Sequence, residues 1–350
     1  MSPVDAPAPP ARSSSPALPA PRGSFSEALL DGLRRAPHDL SLPAAPAAVD
    51  PLDDEDLQLS LYACYELHYR GFEGVDADWE WSPSLLGARA ELERAFLERV
   101  TELAPREAGI SPRDVGATLF DIAAADESPS LSRFLEVRGS AEQFREFVVH
   151  RSAYQLKEAD PHSWGLPRLD GPAKSAMVEI QADEYGGGRV GRMHSALWAK
   201  TMAALGLDPT YGSYLDEIPG STLASVNLGS LLGLHRRERG ALVGHLAMFE
   251  ITSAVPNRRY GNALRRLGLA TPEAIDFFDE HVEADSVHEN IAAYDLAQRL
   301  AEAEPALASD VIFGARALIA VDAHGATRIL ERWEADQPSL LGESSQAAAR

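Results

Sequence analysis

The chain has 350 residues, 45% of them hydrophobic, and its 53 Asp and Glu against 32 Lys and Arg give a net charge of −21. Length and apolar content suit a globular, soluble chain of one large or two small domains, while that charge would repel a phosphate backbone and argues against nucleic acid as a partner. One cysteine, Cys64, excludes a disulfide framework and a zinc ribbon and fits a reducing cytoplasm.

In chain order, residues 1–22 are rich in Pro, Ala and Ser. They lack the apolar run of about 7–15 residues that marks a secretory signal, and read as a disordered tail. Apolar residues spaced by three and four predict helices over 25–35, 53–69, 84–103 and 141–156. Stops stand at Pro37, Gly71, Pro105 and between Pro161 and Pro172, and Ser111 ahead of Pro112 has the pattern of an N-cap followed by proline. Trp79 and Trp81 alternate with acids before Pro83, as in a loop anchored on a bundle. Further helices are expected over 173–184, 193–205, 223–234, 238–255, 272–303 and 311–336, and no alternating β-branched run suggests a strand. No segment offers about 18 consecutive apolar residues, so none is expected to span a membrane. The expectation is an all-α bundle. An N-terminal helical region over 23–150 could form a homodimer, a bundle over 151–336 carries the chemistry, and a flexible tail covers 337–350.

The most informative motif is His281-x3-Asp285-x2-His288, inside one long helical stretch. At about 100° per residue, offsets of four and seven bring all three side chains to one helix face. Two imidazoles and a carboxylate are the ligand mixture of non-heme iron, less often of zinc or manganese. The alternative is a solvated polar face, of which Asp279, Glu283 and Glu289 are members.

One helix cannot complete a bundle metal site, so partners should be acids in apolar surroundings. Glu250 stands in the run Gly240 to Val255 as its one carboxylate. Buried there, it needs a cation, either a metal or an arginine such as Arg258 or Arg259. Glu184 and His194 flank a glycine-rich segment; on an unbroken helix they would lie about 15 Å apart along the axis, but Gly186, Gly187, Gly188 and Gly191 permit a break that turns both towards one cavity, or a loop between two helices. His245 reads as a core histidine, Glu66 and His68, two apart, as braces of the N-terminal helices, and His150, His162, His235 and His324 lack ligand-spaced partners.

In this order, Glu184-x9-His194, Glu250 and His281-x3-Asp285-x2-His288 resemble the heme-oxygenase-like di-iron oxidases, the iron-containing redox enzymes, over roughly residues 150–335. The segment from Cys64 to Phe72 is similar to the N-terminal helix of longer bacterial members. The resemblance implies a heme-oxygenase-like helical bundle with an N-terminal extension, binding two irons that cycle between Fe(II) and Fe(III), and no heme. It implies that Glu184 and His194 come from one core helix, Glu250 from a second, and His281, Asp285 and His288 from a third. It adds Glu158, 26 residues before Glu184, as the further carboxylate of N-oxygenating members. Cys64 lies in the wrong part of the chain to serve as the catalytic cysteine of the thiamine-degrading relatives.

The activity so implied is reduction of the co-substrate O2 by diferrous iron to a peroxo-diferric species that oxidises a small-molecule substrate, in a cytoplasmic biosynthetic pathway. The glycine run does not follow a strand and is no dinucleotide fingerprint, so an external electron donor is implied. N-oxygenation of an amine- or guanidine-bearing molecule is favoured by Glu158 and the Glu184–His194 spacing. Oxidative desaturation or decarboxylating C–C cleavage of an acid or amino acid is the rival within the family. A non-catalytic helical metal-binding or interaction protein is the rival from another class.

Overall fold

The computed structural model describes residues 15–46 and 50–342, with residues 283–287 described in their backbone only. Among the described residues there is no strand. Helices α1 (Ser24–Leu33) and α2 (Glu55–Glu66) come first; Asp54 caps α2 by accepting from the backbone N–H of Asp56 and Leu57, donors that a helix start leaves free. Helix α3 (Pro83–Leu103) begins on a proline, whose missing N–H is not needed there. Helices α4 (Val115–Ala124), α5 (Leu131–Val137) and α6 (Ala141–Gln155) follow, the last opened by a reciprocal cap between Ser140 and Gln143.

After the single turn α7 (Asp160–Ser163) come α8 (Gly171–Glu184), α9 (His194–Ala204), α10 (Gly220–Leu234), α11 (Arg239–Leu267) and α12 (Pro272–Asn290). Helix α12 continues into a π-helical segment, Ile291–Gln298, and then α13 (Arg299–Ala303), before α14 (Ala308–Glu334) closes the bundle. The long α11 is central, packed against α12, α14, α5 and the π segment.

Helix α11 does not stop at Val255, the end expected from the sequence, but runs to Leu267. Pro256 sits inside it. The proline removes the N–H that the Thr252 carbonyl would accept from, and Asn257, one residue on, donates its side-chain amide to the Ser253 carbonyl at 3.1 Å. The helix ends at Gly268, whose φ of 72° is the left-handed conformation glycine tolerates.

At three expected boundaries the packing runs across. Residue 150 lies inside α6, and one buried core runs from Leu29 and Leu61 through Phe147 and Trp198 to Phe278 and Trp333, so the N-terminal helices are not a separate unit. Helix α2 packs on α10, where Asn227 donates to Gln58 at a fully buried contact. Of the expected tail over 1–22, residues 15–22 are docked: the Pro16 carbonyl accepts from Glu73 N–H, Ala20 N–H donates to Asp216, and Arg22 reaches Glu55 and the Leu215 carbonyl. Residues 1–14 lie outside the described residues. At the other end Ser339 donates to Glu146 and Leu341 N–H to Glu217, so the tail is docked as far as the described chain extends, and residues 343–350 lie outside it.

Glu66 and His68 act as the braces expected. Glu66 is fully buried, 3.1 Å from Lys157 Nζ and accepting from Tyr211 at 2.6 Å. His68 lies between Glu80 and Arg89.

Candidate metal centre

Four helices and one turn supply the site. Helix α11 carries Glu250 on its buried face, α12 carries His281 and His288, α8 ends on Glu184 and α9 begins on His194. Glu184 and His194 therefore belong to two helices, not to one core helix as the resemblance implied. Between them Gly186, Gly187 and Gly188 all have positive φ, which breaks the helix and folds α9 back. A Cβ on Gly186 would lie 2.5 Å from the Arg192 backbone, so the turn closes only around glycine. Glu158 comes from the turn after α6, beside Ala159, whose φ of 75° is costly for a residue with a Cβ.

These residues meet in two triads of metal-competent atoms, Glu158 with His194 and His281, and Glu184 with Glu250 and His288. The six side chains are almost fully buried, none more than 9% exposed. Glu184 joins the triads, its Oε2 lying 3.0 Å from His194 Nδ1, while His288 Nδ1 is 3.5 Å from Glu250 Oε2. The cation that faces Glu250 is thus His288, and not an arginine; Arg259 turns to Glu136 and Ser130. Asp285, the seventh expected ligand, has its side chain outside the described residues.

The far nitrogens of two imidazoles are anchored. His281 Nδ1 lies 2.8 Å from the Phe277 carbonyl, and His288 Nε2 lies 3.0 Å from Asp183. Such outer contacts fix tautomer and ring orientation in metal sites. They leave His281 Nε2 and His288 Nδ1 turned towards the carboxylates. Three of the facing atoms, Glu158 Oε2, His194 Nδ1 and His288 Nδ1, are buried without an aligned hydrogen bond, their nearest contacts being the ion-pair distances across the site. Orphaned buried donors and acceptors are costly. Together with these atoms, three imidazoles and three carboxylates converge in the donor set of non-heme iron, and the residues fit two ions.

Sequence reasoning missed three contributors. Asp183 orients His288, and His162 and Gln181 line the cavity that the carboxylates enclose. That cavity measures about 20 Å³, room for roughly one water. His162 and His245 face each other at 3.0 Å. Burial pushes both down to about 3, so the pair is uncharged.

Electrostatics tie the centre to pH. Burial alone would lower His194 and His288, but Glu184 beside the first and Glu250 beside the second raise each to about 9. Burial opposes ionisation of Glu184, yet His194 leads the histidines in holding it below its ordinary value, whereas burial dominates at Glu250 and raises it. A histidine raised in the fold stabilises the metal-free protein fully below its unfolded value of 6.5 and loses that contribution as pH rises through about 9. Iron needs both imidazoles neutral. Anaerobic Fe(II) titrations should therefore show affinity climbing from pH 6.5 to 9, by up to about tenfold per unit for each histidine, while the metal-free protein loses stability over the same window. A pH-independent affinity would contradict this assignment.

The fold and site define a class: a heme-oxygenase-like helical bundle whose interior holds paired carboxylate and imidazole triads. Residues 145–323, just over half of the chain, match the family described as iron-containing redox enzymes. The chain belongs to that family of oxidoreductases. It is 27% identical over 179 residues to the nitrosourea synthase of Streptomyces achromogenes subsp. streptozoticus, a match that covers 51% of this chain and 38% of that relative's length. Among the described residues, no helix is long and apolar enough to cross a membrane.

Proposed function

We propose that the protein holds two irons through Glu158, Glu184, His194, Glu250, His281, Asp285 and His288, and uses O2 to oxygenate nitrogen in an amine- or guanidine-bearing small molecule. The observation that carries this reading is the pair of buried triads, whose metal-competent atoms face one another and three of which lack an aligned hydrogen bond. Iron bound there supplies the electrons and open coordination positions with which O2 is reduced.

The chain's own residues do the rest. Four carboxylates, counting Asp285, balance the charge of two Fe(II). Asp183 and the Phe277 carbonyl hold two imidazoles in position. Leu246 and Phe249 line the cavity together with the uncharged His162, which keeps bulk water from a reactive site. Converting an amine to a hydroxylamine consumes one O2, two electrons and two protons and releases one water. The electrons come from an external donor. Nitrogen is favoured over carbon because Glu158 joins the first triad, and because a relative is named for making a nitrosourea, a product with oxygen on nitrogen.

The test is turnover of iron-loaded protein under labelled O2 with a panel of amines and guanidines, read by mass spectrometry. Labelled oxygen on nitrogen is expected. A product that has lost hydrogen or carbon dioxide and carries no label would move the assignment to desaturation or C–C cleavage.

A further inference from the structure

One member of the two triads does not stand on a helix. Glu184, His194, Glu250, His281 and His288 all lie within helices, where the backbone ladder fixes the origin of each side chain. Glu158 lies in the turn between α6 and α7, beside Ala159 with its φ of 75°. A left-handed alanine persists only where the surroundings over-determine it. The turn therefore needs a hold from outside itself, and a metal site tolerates only about 0.5 Å of error in where its ligands sit.

The hold comes from the end of α2. Glu66 and Lys157 form an ion pair at 3.1 Å, with 0% and 1% of their side chains exposed. Tyr211 donates to the same Glu66 carboxylate at 2.6 Å, and Lys157 Nζ lies 4.7 Å and 4.4 Å from the ring centres of Tyr62 and Tyr69. Four residues on from Glu66, Arg70 donates to the Leu156 carbonyl at 3.1 Å while its guanidinium lies 4.1 Å from the Tyr211 ring centre. Leu156 and Lys157 are the two residues that precede Glu158. On the following side, Gln181 of α8 donates to the Ala159 carbonyl at 3.4 Å. Both flanks of Glu158 are thus tied down. A buried ion pair contributes little net stability beyond an apolar pair of the same shape, because desolvation offsets its attraction, but it is strict about distance and direction.

We propose that Glu66 and Arg70 are positioning residues for the metal centre: by fixing Lys157 and Leu156 they set where the Glu158 carboxylate meets His194 and His281. None of Glu66, Arg70 and Lys157 belongs to either triad, so they act through Glu158. Its two oxygens lie 3.9 Å from His194 Nδ1 and 3.7 Å from His281 Nε2, and a shift of the turn would open both distances together. Glu66 and Arg70 also lie before residue 145, where the segment shared with the iron-containing redox enzymes begins. The N-terminal helices then complete the metal centre instead of merely covering it. This inference rests on the two-iron reading for what Glu158 holds, but not for the grip on its turn.

The test uses the full chain with Arg70→Met, which keeps the side-chain stem, and with Glu66→Gln and Lys157→Met combined, which removes both buried charges so that neither is left unpaired. Glu146→Gln is the control, a buried acid of α6 whose partners are Trp333 and Ser339. Anaerobic Fe(II) titration with Mössbauer spectroscopy should show one iron bound about tenfold more weakly and with altered parameters in both clamp variants, and the other unchanged. The same substitutions placed in His288→Ala, where the Glu158 triad alone is complete, should weaken the remaining iron. In the metal-free protein, hydrogen exchange over residues 156–163 should be faster in both clamp variants and unchanged in Glu146→Gln. Wild-type iron affinity and spectra in both clamp variants, or an equal loss at both irons matched by Glu146→Gln, would overturn the proposal. Wild-type protein that takes up no iron would overturn the two-iron reading, and the exchange measurement would then decide the grip by itself: unchanged exchange overturns it and faster exchange supports it.

Discussion

Replacing His288 with alanine is expected to leave a folded protein that takes up about one iron, against about two expected for the wild type. His288 is the sole imidazole of its triad, and Glu184 and Glu250 alone make a poor site for a borderline metal. The helix survives, because α12 is anchored by Phe277 and Phe278, both 1% exposed, and not by the histidine. His281→Ala leaves Glu158 and His194 in the other triad and should weaken iron binding there, and Asp285→Ala should cost iron as well. Glu250→Ala adds a check of sign. Removing this acid should lose iron and also take from the metal-free protein the stabilisation His288 gains beside it, a loss larger at pH 6.5 than above pH 9. Iron analysis beside thermal denaturation reads both quantities. Full iron in His288→Ala would break the assignment of the second triad.

The second large effect comes from backbone contact. Helices α11 and α14 cross at two glycines: a Cβ on Gly244 would lie 1.8 Å from the Val311 carbonyl oxygen, and one on Gly314 would lie 1.9 Å from that of Ala241. In a helix, Gly→Ala ordinarily gains about 1 kcal/mol. Here neither backbone can yield without separating the helices, so Gly244→Ala should instead lose roughly 3 kcal/mol or more. The displacement also reaches Glu250 on the same helix, so iron affinity should fall. Gly87 supplies the control. It sits exposed in α3, where an added Cβ would meet nothing within 4 Å, and Gly87→Ala should stabilise by about 1 kcal/mol. Chemical denaturation of the two variants decides the matter, and Gly244→Ala as stable as wild type would contradict the close crossing.

Legibility in the sequence followed how local each signal was. The row on α12 is a property of one helix, so its spacing alone located His281 and His288. Glu250 stood out because an acid in an apolar run has to be matched by something. The break between Glu184 and His194 was legible as a glycine cluster, but where the helices ended depended on how Gly186 packs against Arg192. Glu158 had no signal of its own, lying between Lys157 and Asp160 in a polar stretch, and only family resemblance suggested it. Asp183 and His162 were invisible, because their roles arise from contacts with residues 105 and 83 positions away. The same holds for the docked termini. Composition marks residues 15–22 as tail-like, while Arg22 and Pro16 are held by groups that only the folded bundle brings near.

The central claim is that the chain provides a site for two irons, and the measurement that tests it most directly is anaerobic Fe(II) loading of the full chain followed by metal analysis and Mössbauer spectroscopy. Two buried triads predict saturation at about two Fe(II) per chain, with no stoichiometric heme. Saturation at a single iron, or a Soret band at full occupancy, would contradict it.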